Sequence, residues 1–134
     1  MSPDEAFAIW AEAMAPLRNA GKKLVCPVTS SASSGTTWEQ QFFQFCGGIC
    51  CDVMPLHWFG TEIEEFMQYV EIWHAMYPTL PIWITEFGYQ DFNGGSAPTL
   101  SYIDIYFPAI EGDIFPLLNS DHSLTALGHI AFGF

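Results

Sequence analysis

Short apolar runs alternate along this chain with longer stretches that carry apolar residues at helical spacing. The runs are rich in β-branched and aromatic residues, which is typical of buried strands. Strands separated by helices pair in parallel, because the helical crossover returns the chain to the same end of the sheet. The sequence therefore predicts an α/β protein with a parallel sheet, and its strands are expected at 23–28, 49–58, 81–88 and 102–107.

Three helices are expected before and between the first three strands. Each begins with the capping-box pattern, a Ser or Thr followed three residues later by Glu or Gln: Ser2 with Glu5, Thr37 with Gln40, and Thr61 with Glu64. The third helix has the clearest apolar stripe, made of Ile63, Phe66, Met67, Val70, Trp73 and Tyr77. A short last helix is expected at 124–132. No helical pattern lies between 87 and 102, so one crossover helix is missing.

Glu86 stands at the carboxyl end of the third predicted strand. Because side chains alternate along a strand, Ile82 and Ile84 are expected on the same face as Glu86, with the residues between them on the other face. Catalytic groups of parallel barrels lie at the carboxyl ends of the strands. Glu86 is therefore a candidate catalytic residue, and the alternative is a solvated glutamate at a strand end.

His57 and Trp58 lie at the end of the preceding strand. Aromatic faces stack on sugar rings, while His and Glu side chains hydrogen-bond hydroxyl groups. Taken singly, Trp58 has the alternative of a core aromatic, and His57 that of a buried histidine with satisfied hydrogen bonds. Their place beside Glu86 at consecutive strand ends favours a carbohydrate site.

The excess of acidic over basic residues limits the classes of molecule that this chain is expected to bind. The 134 residues include 15 acidic and 3 basic side chains, a net charge of −12. Phosphate binding depends on Lys and Arg, so neither nucleic acid nor an anionic membrane is expected as a partner. No apolar run approaches the roughly 20 residues that span a bilayer, and no signal peptide is expected, because no basic-then-apolar leader is visible before Ser2. An acidic, aromatic-rich chain suits a neutral ligand such as a glycan.

Three of the four cysteines are crowded together, at Cys46, Cys50 and Cys51, and the fourth is Cys26. Two interpretations remain open: a disulfide from Cys46 to Cys50 or Cys51, or inert buried thiols. A metal site is the least favoured, because structural zinc takes four ligands and the histidines are not spaced as a second ligand pair. No metal or other cofactor is expected.

The sequence resembles glycoside hydrolase family 128, a family of fungal cell-wall-associated enzymes of the endo-β-1,3-glucanase type. The resemblance runs over nearly the whole chain and rests on several motifs in the same order. They are Trp10 with 21–24, the Cys-containing turn at 46–52, His57-Trp58-Phe59-Gly60, the strand at 82–88, and the segments 106–108, 117–121 and 124–128.

The resemblance implies that residues 1–134 are a partial catalytic domain. It would hold about the C-terminal four strands of a (β/α)8 TIM barrel, with the N-terminal half and one crossover helix missing. Glu86 would be the nucleophile of a retaining enzyme that acts on β-1,3-glucan, with a second Glu as acid and then base. The substrate-binding residues would be His57, Trp58, Phe59 and Tyr89. Family members are typically secreted, which implies an extracellular or cell-wall location.

The chain departs from the family pattern at the second carboxylate. The family carries this residue in an Asn-Glu-Pro motif on an earlier strand, and the motif does not occur here. Glu111 and Asp113 are weak stand-ins. Phe59 stands where the family commonly has Tyr. A half barrel leaves unpaired strand edges, so we also expect self-association through the open barrel edges.

Four functions follow from these observations. The favoured one is a partial family 128 enzyme that is inactive on its own. The others are an active glucanase using a stand-in acid, a non-catalytic β-glucan-binding protein that stacks sugars on Trp58, His57 and Tyr89, and a redox or metal role for the cysteines.

Overall fold

The computed structural model describes residues 1–47 and 50–93. These form helix α1 (Pro3–Asn19), helix α2 (Ser33–Phe45), strand β1 (Met54–Gly60), helix α3 (Ile63–Met76) and strand β2 (Ile82–Tyr89). The predicted alternation is confirmed from α2 to β2, whereas α1 is followed directly by α2 with no strand between them. The strand expected at 102–107, the helix expected at 124–132, and the residues Glu111 and Asp113 lie outside the described residues.

The two strands pair in parallel, with α3 as the crossover between them. This pairing confirms the parallel sheet. The strand predicted at 23–28 is instead a single parallel bridge, from Val25 to Val53. Cys26 donates its backbone N–H to the carbonyl of Val53, 3.1 Å away. The next bond of this ladder would be donated by the backbone N of residue 55, which is Pro55 and has no N–H, and this explains why the pairing stops there.

The start of α1 is as predicted. The capping box at Ser2 is formed, and the Ser2 backbone N–H donates to Glu5 Oε2 at 3.1 Å. Pro3 occupies the first helical position, where a missing N–H has no consequence. Gly21 lies just beyond the helix with φ of 73°, the left-handed conformation that favours glycine.

The predicted starts of the other two helices were wrong. Helix α2 begins at Ser33, and the Thr37 hydroxyl is already inside the helix, where it donates to the Ser33 carbonyl at 2.8 Å. Helix α3 begins at Ile63 with Glu62 as N-cap, and the Thr61 hydroxyl donates to Glu62 Oε1 at 3.0 Å. In both helices the Thr side chain has a local partner other than the helix N-terminus.

The core lies between the sheet and the helices. Met54 and Leu56 of β1 are fully buried, as are Phe66, Val70 and Trp73 in the predicted stripe of α3. Helix α1 packs on α2 through rings: Phe7 and Trp10 meet Phe42 edge-on, with centroids 5.8 and 6.0 Å apart. Burial of these large side chains is the main stabilising contribution. No helix among the described residues has the length and apolar character needed to cross a membrane.

Two disulfides tie the segments around the start of β1. Cys46 pairs with Cys50 and Cys26 pairs with Cys51, with Cα atoms 5.3 and 5.2 Å apart. The first pairing is one of the two disulfides considered from the sequence, and the alternatives of a Cys46–Cys51 bond and of inert buried thiols were wrong. The bond of Cys26 was not anticipated. Val25 precedes Cys26 and Val53 lies two residues after Cys51, so the parallel bridge between the two valines brings these cysteines together.

Candidate active site

The site begins with an irregularity in the pairing of β1 and β2. Leu56 pairs with Ile84, but the next residue, His57, pairs with Glu86, so Thr85 is an extra residue in β2. The Thr85 hydroxyl donates to the Leu56 carbonyl at 3.5 Å. One extra residue exchanges the faces of everything beyond it. The expectation that Glu86 shares a face with Ile82 and Ile84 was therefore wrong.

Beyond this bulge, Glu86 lies on the same face as His57. His57 Nδ1 is 3.5 Å from Glu86 Oε2, and the side chains are 19% and 50% exposed. The two groups form an ion pair only when the imidazole is protonated. Glu86 is thus a solvent-accessible carboxylate beside a mostly buried histidine, and each lies three residues before the carboxyl end of its strand. A carboxylate placed in this way can act as a nucleophile or as a proton acceptor.

Trp58 lies on the opposite face of the sheet. It is 7% exposed, and its ring centroid is 5.7 Å from those of both Phe66 and Tyr69 of α3. A Cβ on Gly60 would come within 2.8 Å of Trp58 Cζ2, so the ring lies against a position that only glycine fits. The structure therefore does not place Trp58 beside His57 and Glu86.

A cleft of about 810 Å³ opens beyond the carboxyl ends of the strands. Its walls come from the loop before α2 (Ser30, Ser31, Ala32), the end of β1 with the start of α3 (Trp58 to Glu62, and Glu65), and Gln90 to Asn93 after β2. Phe59 and Phe92, which are 38% and 76% exposed, add apolar surface among hydroxyl, amide and carboxylate groups. His57 and Glu86 do not line this cleft. The side chain of Tyr89 lies outside what the structure describes.

Sequence reasoning missed Glu39 of α2, whose side chain is 1% exposed. Its Oε1 accepts a hydrogen bond from the Thr29 backbone N–H at 3.2 Å, and Oε2 has no hydrogen-bond partner among the described residues. Burial raises the pKa of Glu39 from 4.5 to about 7, although the bonds from Thr29 oppose the shift. The available signal was its spacing, three and four residues before the buried Phe42 and Phe43.

Burial also raises the pKa of Tyr69 on α3, and the nearby charge of Glu39 adds to the effect. The Tyr69 hydroxyl and the Trp73 indole N–H are both buried without a well-formed hydrogen bond among the described residues, although Trp73 lies close enough to Tyr69 to oppose part of this pKa shift. A polar cluster thus lies between α2 and α3, inside an otherwise apolar layer.

The cysteines form a compact cluster at the other end of β1. Cys50 Sγ lies 3.4 Å from Cys51 Sγ, so the two disulfides touch. The sulfurs of Cys26, Cys50 and Cys51 lie within 4.8 Å of one another. Metal ligation requires thiolates, and these sulfurs are oxidised in disulfides.

Two parallel strands are joined by a crossover helix, and a carboxylate faces a histidine in the second half of the strands, which is typical of α/β domains whose active sites lie toward the carboxyl ends of the strands. Residues 1–110 match the family described as "Glycosyl hydrolase catalytic core", and the chain belongs to this family.

Three relatives agree with this membership. A family 128, subgroup IV, endo-β-1,3-glucanase from Lentinula edodes is 31% identical, with a TM-score of 0.68 over 84% of this chain and 44% of that one. A subgroup VI exo-β-1,3-glucanase from Aureobasidium namibiae is 32% identical, with a TM-score of 0.64 over 68% of this chain and 37% of that one. Alkali-sensitive linkage protein 1 of Schizosaccharomyces pombe is 26% identical over 98 residues, 73% of this chain and 18% of that protein.

The resemblance to family 128 inferred from the sequence motifs is therefore confirmed. The chain spans less than half the length of each of these three relatives. A subgroup I endo-β-1,3-glucanase from Amycolatopsis mediterranei, solved with laminaritriose, is 23% identical with a TM-score of 0.66 and supports the fold alone.

Proposed function

We propose that this chain is part of a retaining glycoside hydrolase that acts on β-1,3-glucan, with Glu86 as the nucleophile. The observation that carries the proposal is the position of Glu86, which is half exposed and lies beside His57 on the same face of the sheet. The fungal relatives that are about one third identical are named as β-1,3-glucanases, which supports the substrate class.

In this mechanism a Glu86 carboxylate oxygen attacks the anomeric carbon and forms a glycosyl-enzyme as the bond to the leaving-group oxygen breaks. A second carboxylic acid protonates the leaving oxygen, and then, as a base, activates the water that releases the sugar. His57 orients Glu86 through Nδ1. Phe59, which alternation places on the face of His57, offers a partly exposed ring against a sugar.

The second carboxylate of the mechanism has no matching motif in this chain. Retaining pairs stand about 5–5.5 Å apart, and the Asn-Glu-Pro motif of the family does not occur in the 134 residues. We therefore propose that the chain alone does not hydrolyse glucan. The barrel arrangement is likewise a proposal, supported by the order of the bridge at Val25, β1 and β2, which are neighbours in chain sequence and all parallel.

An extracellular or cell-wall location is proposed as well. The two disulfides support it, because such bonds persist in oxidising compartments.

The test separates the nucleophile from the missing acid. A substrate with a good leaving group, 2,4-dinitrophenyl β-laminaribioside, needs no acid, and azide needs no base to attack the glycosyl-enzyme. We expect the wild-type chain to release dinitrophenolate and form the β-glycosyl azide, while laminarin itself releases no reducing ends. Glu86→Gln should abolish azide formation, whereas Glu71→Gln, an exposed change on α3, should not alter it. Equal dinitrophenolate release from wild type and Glu86→Gln would reject Glu86 as the nucleophile.

A second candidate is a β-glucan-binding protein without chemistry, and the cleft favours it. The cleft has exposed rings at Phe59 and Phe92 among polar groups, and it does not include Glu86. Titration with laminari-oligosaccharides should change the tryptophan fluorescence, because Trp58 lines the cleft, and Phe92→Ala should weaken the binding. Binding without any azide product would favour this candidate, and an unchanged fluorescence would leave it without support.

A further inference from the structure

One wall of the cleft is formed by the loop at residues 30–32, which precedes helix α2. Ser30, Ser31 and Ala32 line the cleft, and Ser30 and Ala32 are exposed. The segment connects the isolated bridge at Val25 to the first turn of α2. Such a loop is held only where neighbouring groups fix its backbone.

Helix α2 fixes this loop through two contacts. The first is the hydrogen bond from the Thr29 backbone N–H to Glu39 Oε1, at 3.2 Å. The second is steric, since a Cβ built on Gly35 would lie 2.4 Å from the Ser30 carbonyl oxygen and 2.7 Å from Thr29 Oγ1. The first turn of the helix therefore lies directly against the loop, and Glu39, one turn further on, ties its backbone down.

Burying a carboxyl at this place costs free energy, and the hydrogen bond from the Thr29 N–H is the contact that it makes in return. Glu39 is the one polar residue among the fully buried side chains of the described residues, and no Lys or Arg there forms an ion pair with it. Its burial without a countercharge raises its pKa. An apolar residue here would fill the core beside Phe42 and Phe43 without that penalty. It would not, however, hold the Thr29 N–H.

We propose that Glu39 is a positioning residue that, through the Thr29 backbone, sets where residues 30–32 stand in the cleft. In consequence it tunes how the cleft holds a β-1,3-linked oligosaccharide, a consequence that rests on the proposed function. Glu39 lies beneath the loop and does not itself line the cleft, so its effect passes through the loop.

The direct test is amide hydrogen exchange on the full chain. In Glu39→Leu, which keeps bulk but loses the acceptor, the Thr29 amide should exchange roughly tenfold faster, as expected for a lost bond to a charged or polar side chain. The amides at 30–32 should become less protected with it. Glu39→Gln retains an acceptor oxygen and should restore protection. Gly35→Ala displaces the Ser30 carbonyl and leaves the Glu39 carboxyl in place, so it should lower the amide protection of the same residues. Glu71→Leu is the control at an exposed position.

A merely structural role predicts a different pattern. Glu39→Leu would then lower protection equally at Thr29 and in the core turns around Phe42 and Phe43, or not at all, and either result would overturn the proposal. Oligosaccharide binding is measured separately. Glu39→Leu should bind laminaritriose several-fold more weakly than the wild type, and Glu39→Gln should bind it with the affinity of the wild type. If wild type does not bind laminaritriose, the glucan assignment fails while the exchange data still decide the role of Glu39.

Discussion

At the scale of single residues, Thr85 decides which groups meet in the candidate site. Without the extra residue in β2, strict alternation would turn Glu86 toward α3 and Phe87 away from it. With it, Phe87 is 8% exposed and stacks on Phe66, with ring centroids 6.4 Å apart, while Glu86 reaches solvent beside His57. Bulges are common beside active sites because they redirect a side chain in this way.

Glu39 leads to a prediction about pH. A carboxyl whose pKa is higher in the folded chain than in the unfolded one binds its proton more tightly when folded. Its contribution to stability is therefore complete below about pH 4.5 and is lost as the pH rises through about 7. Glu39→Gln should remove this loss. The free energy of unfolding of the variant minus that of the wild type should therefore be larger at pH 8 than at pH 4.5, by at most about 3 kcal/mol.

Urea unfolding of both proteins at the two pH values measures this difference. Comparing the two proteins at each pH cancels the titration of the other carboxylates. Glu71→Gln, at an exposed position, should track the wild type at both values. A constant difference between Glu39→Gln and wild type across this range would mean that Glu39 does not change its protonation there.

At the scale of elements, the end of β1 depends on the close approach of Gly60 to Trp58. A methyl group on Gly60 would lie 2.8 Å from Trp58 Cζ2, in a ring held between Phe66 and Tyr69. Gly60→Ala should therefore destabilise the chain by roughly 1–3 kcal/mol, as overpacking does. Gly88→Ala is the matched control on β2, where the nearest atom is 3.3 Å away on the more exposed Phe59. Thermal unfolding that gives equal losses for both variants would contradict this explanation.

The elements also show what sequence patterns can and cannot predict. The stripe of α3 and the strand holding Glu86 were predicted, because apolar spacing and β-branched runs are local signals. The early start of α2 was not, since its first turn is Ser-Ser-Gly-Thr, a poor helix former that is held by packing of Phe42 and Phe43. The bulge at Thr85 and the burial of Glu39 depend on partners 29 and 10 residues away. Local patterns carry no information about those partners.

At the scale of the whole molecule, the two disulfides should differ in their effect on stability. Cys26–Cys51 joins residues 25 apart, and Cys46–Cys50 joins residues 4 apart. In the chain-entropy model the longer loop stabilises more, by about 3.5 against about 2 kcal/mol. Replacing both Cys26 and Cys51 by Ala should thus lower the free energy of unfolding more than replacing both Cys46 and Cys50. Urea unfolding of the two double variants measures this, and the opposite order would show that packing around the sulfurs outweighs loop closure.

The sheet and the net charge together determine how the whole chain behaves in solution. Within residues 1–47 and 50–93 the sheet is two strands and one bridge, and unpaired edges of parallel strands favour association. The net charge of −12 opposes association, because copies repel one another over a Debye length of about 10 Å at 0.1 M salt. Raising the salt screens this repulsion without weakening strand pairing. Sedimentation should therefore detect larger species at 0.5 M than at 0.02 M NaCl, and a monomer with a cooperative thermal transition at both would contradict the open-edge proposal.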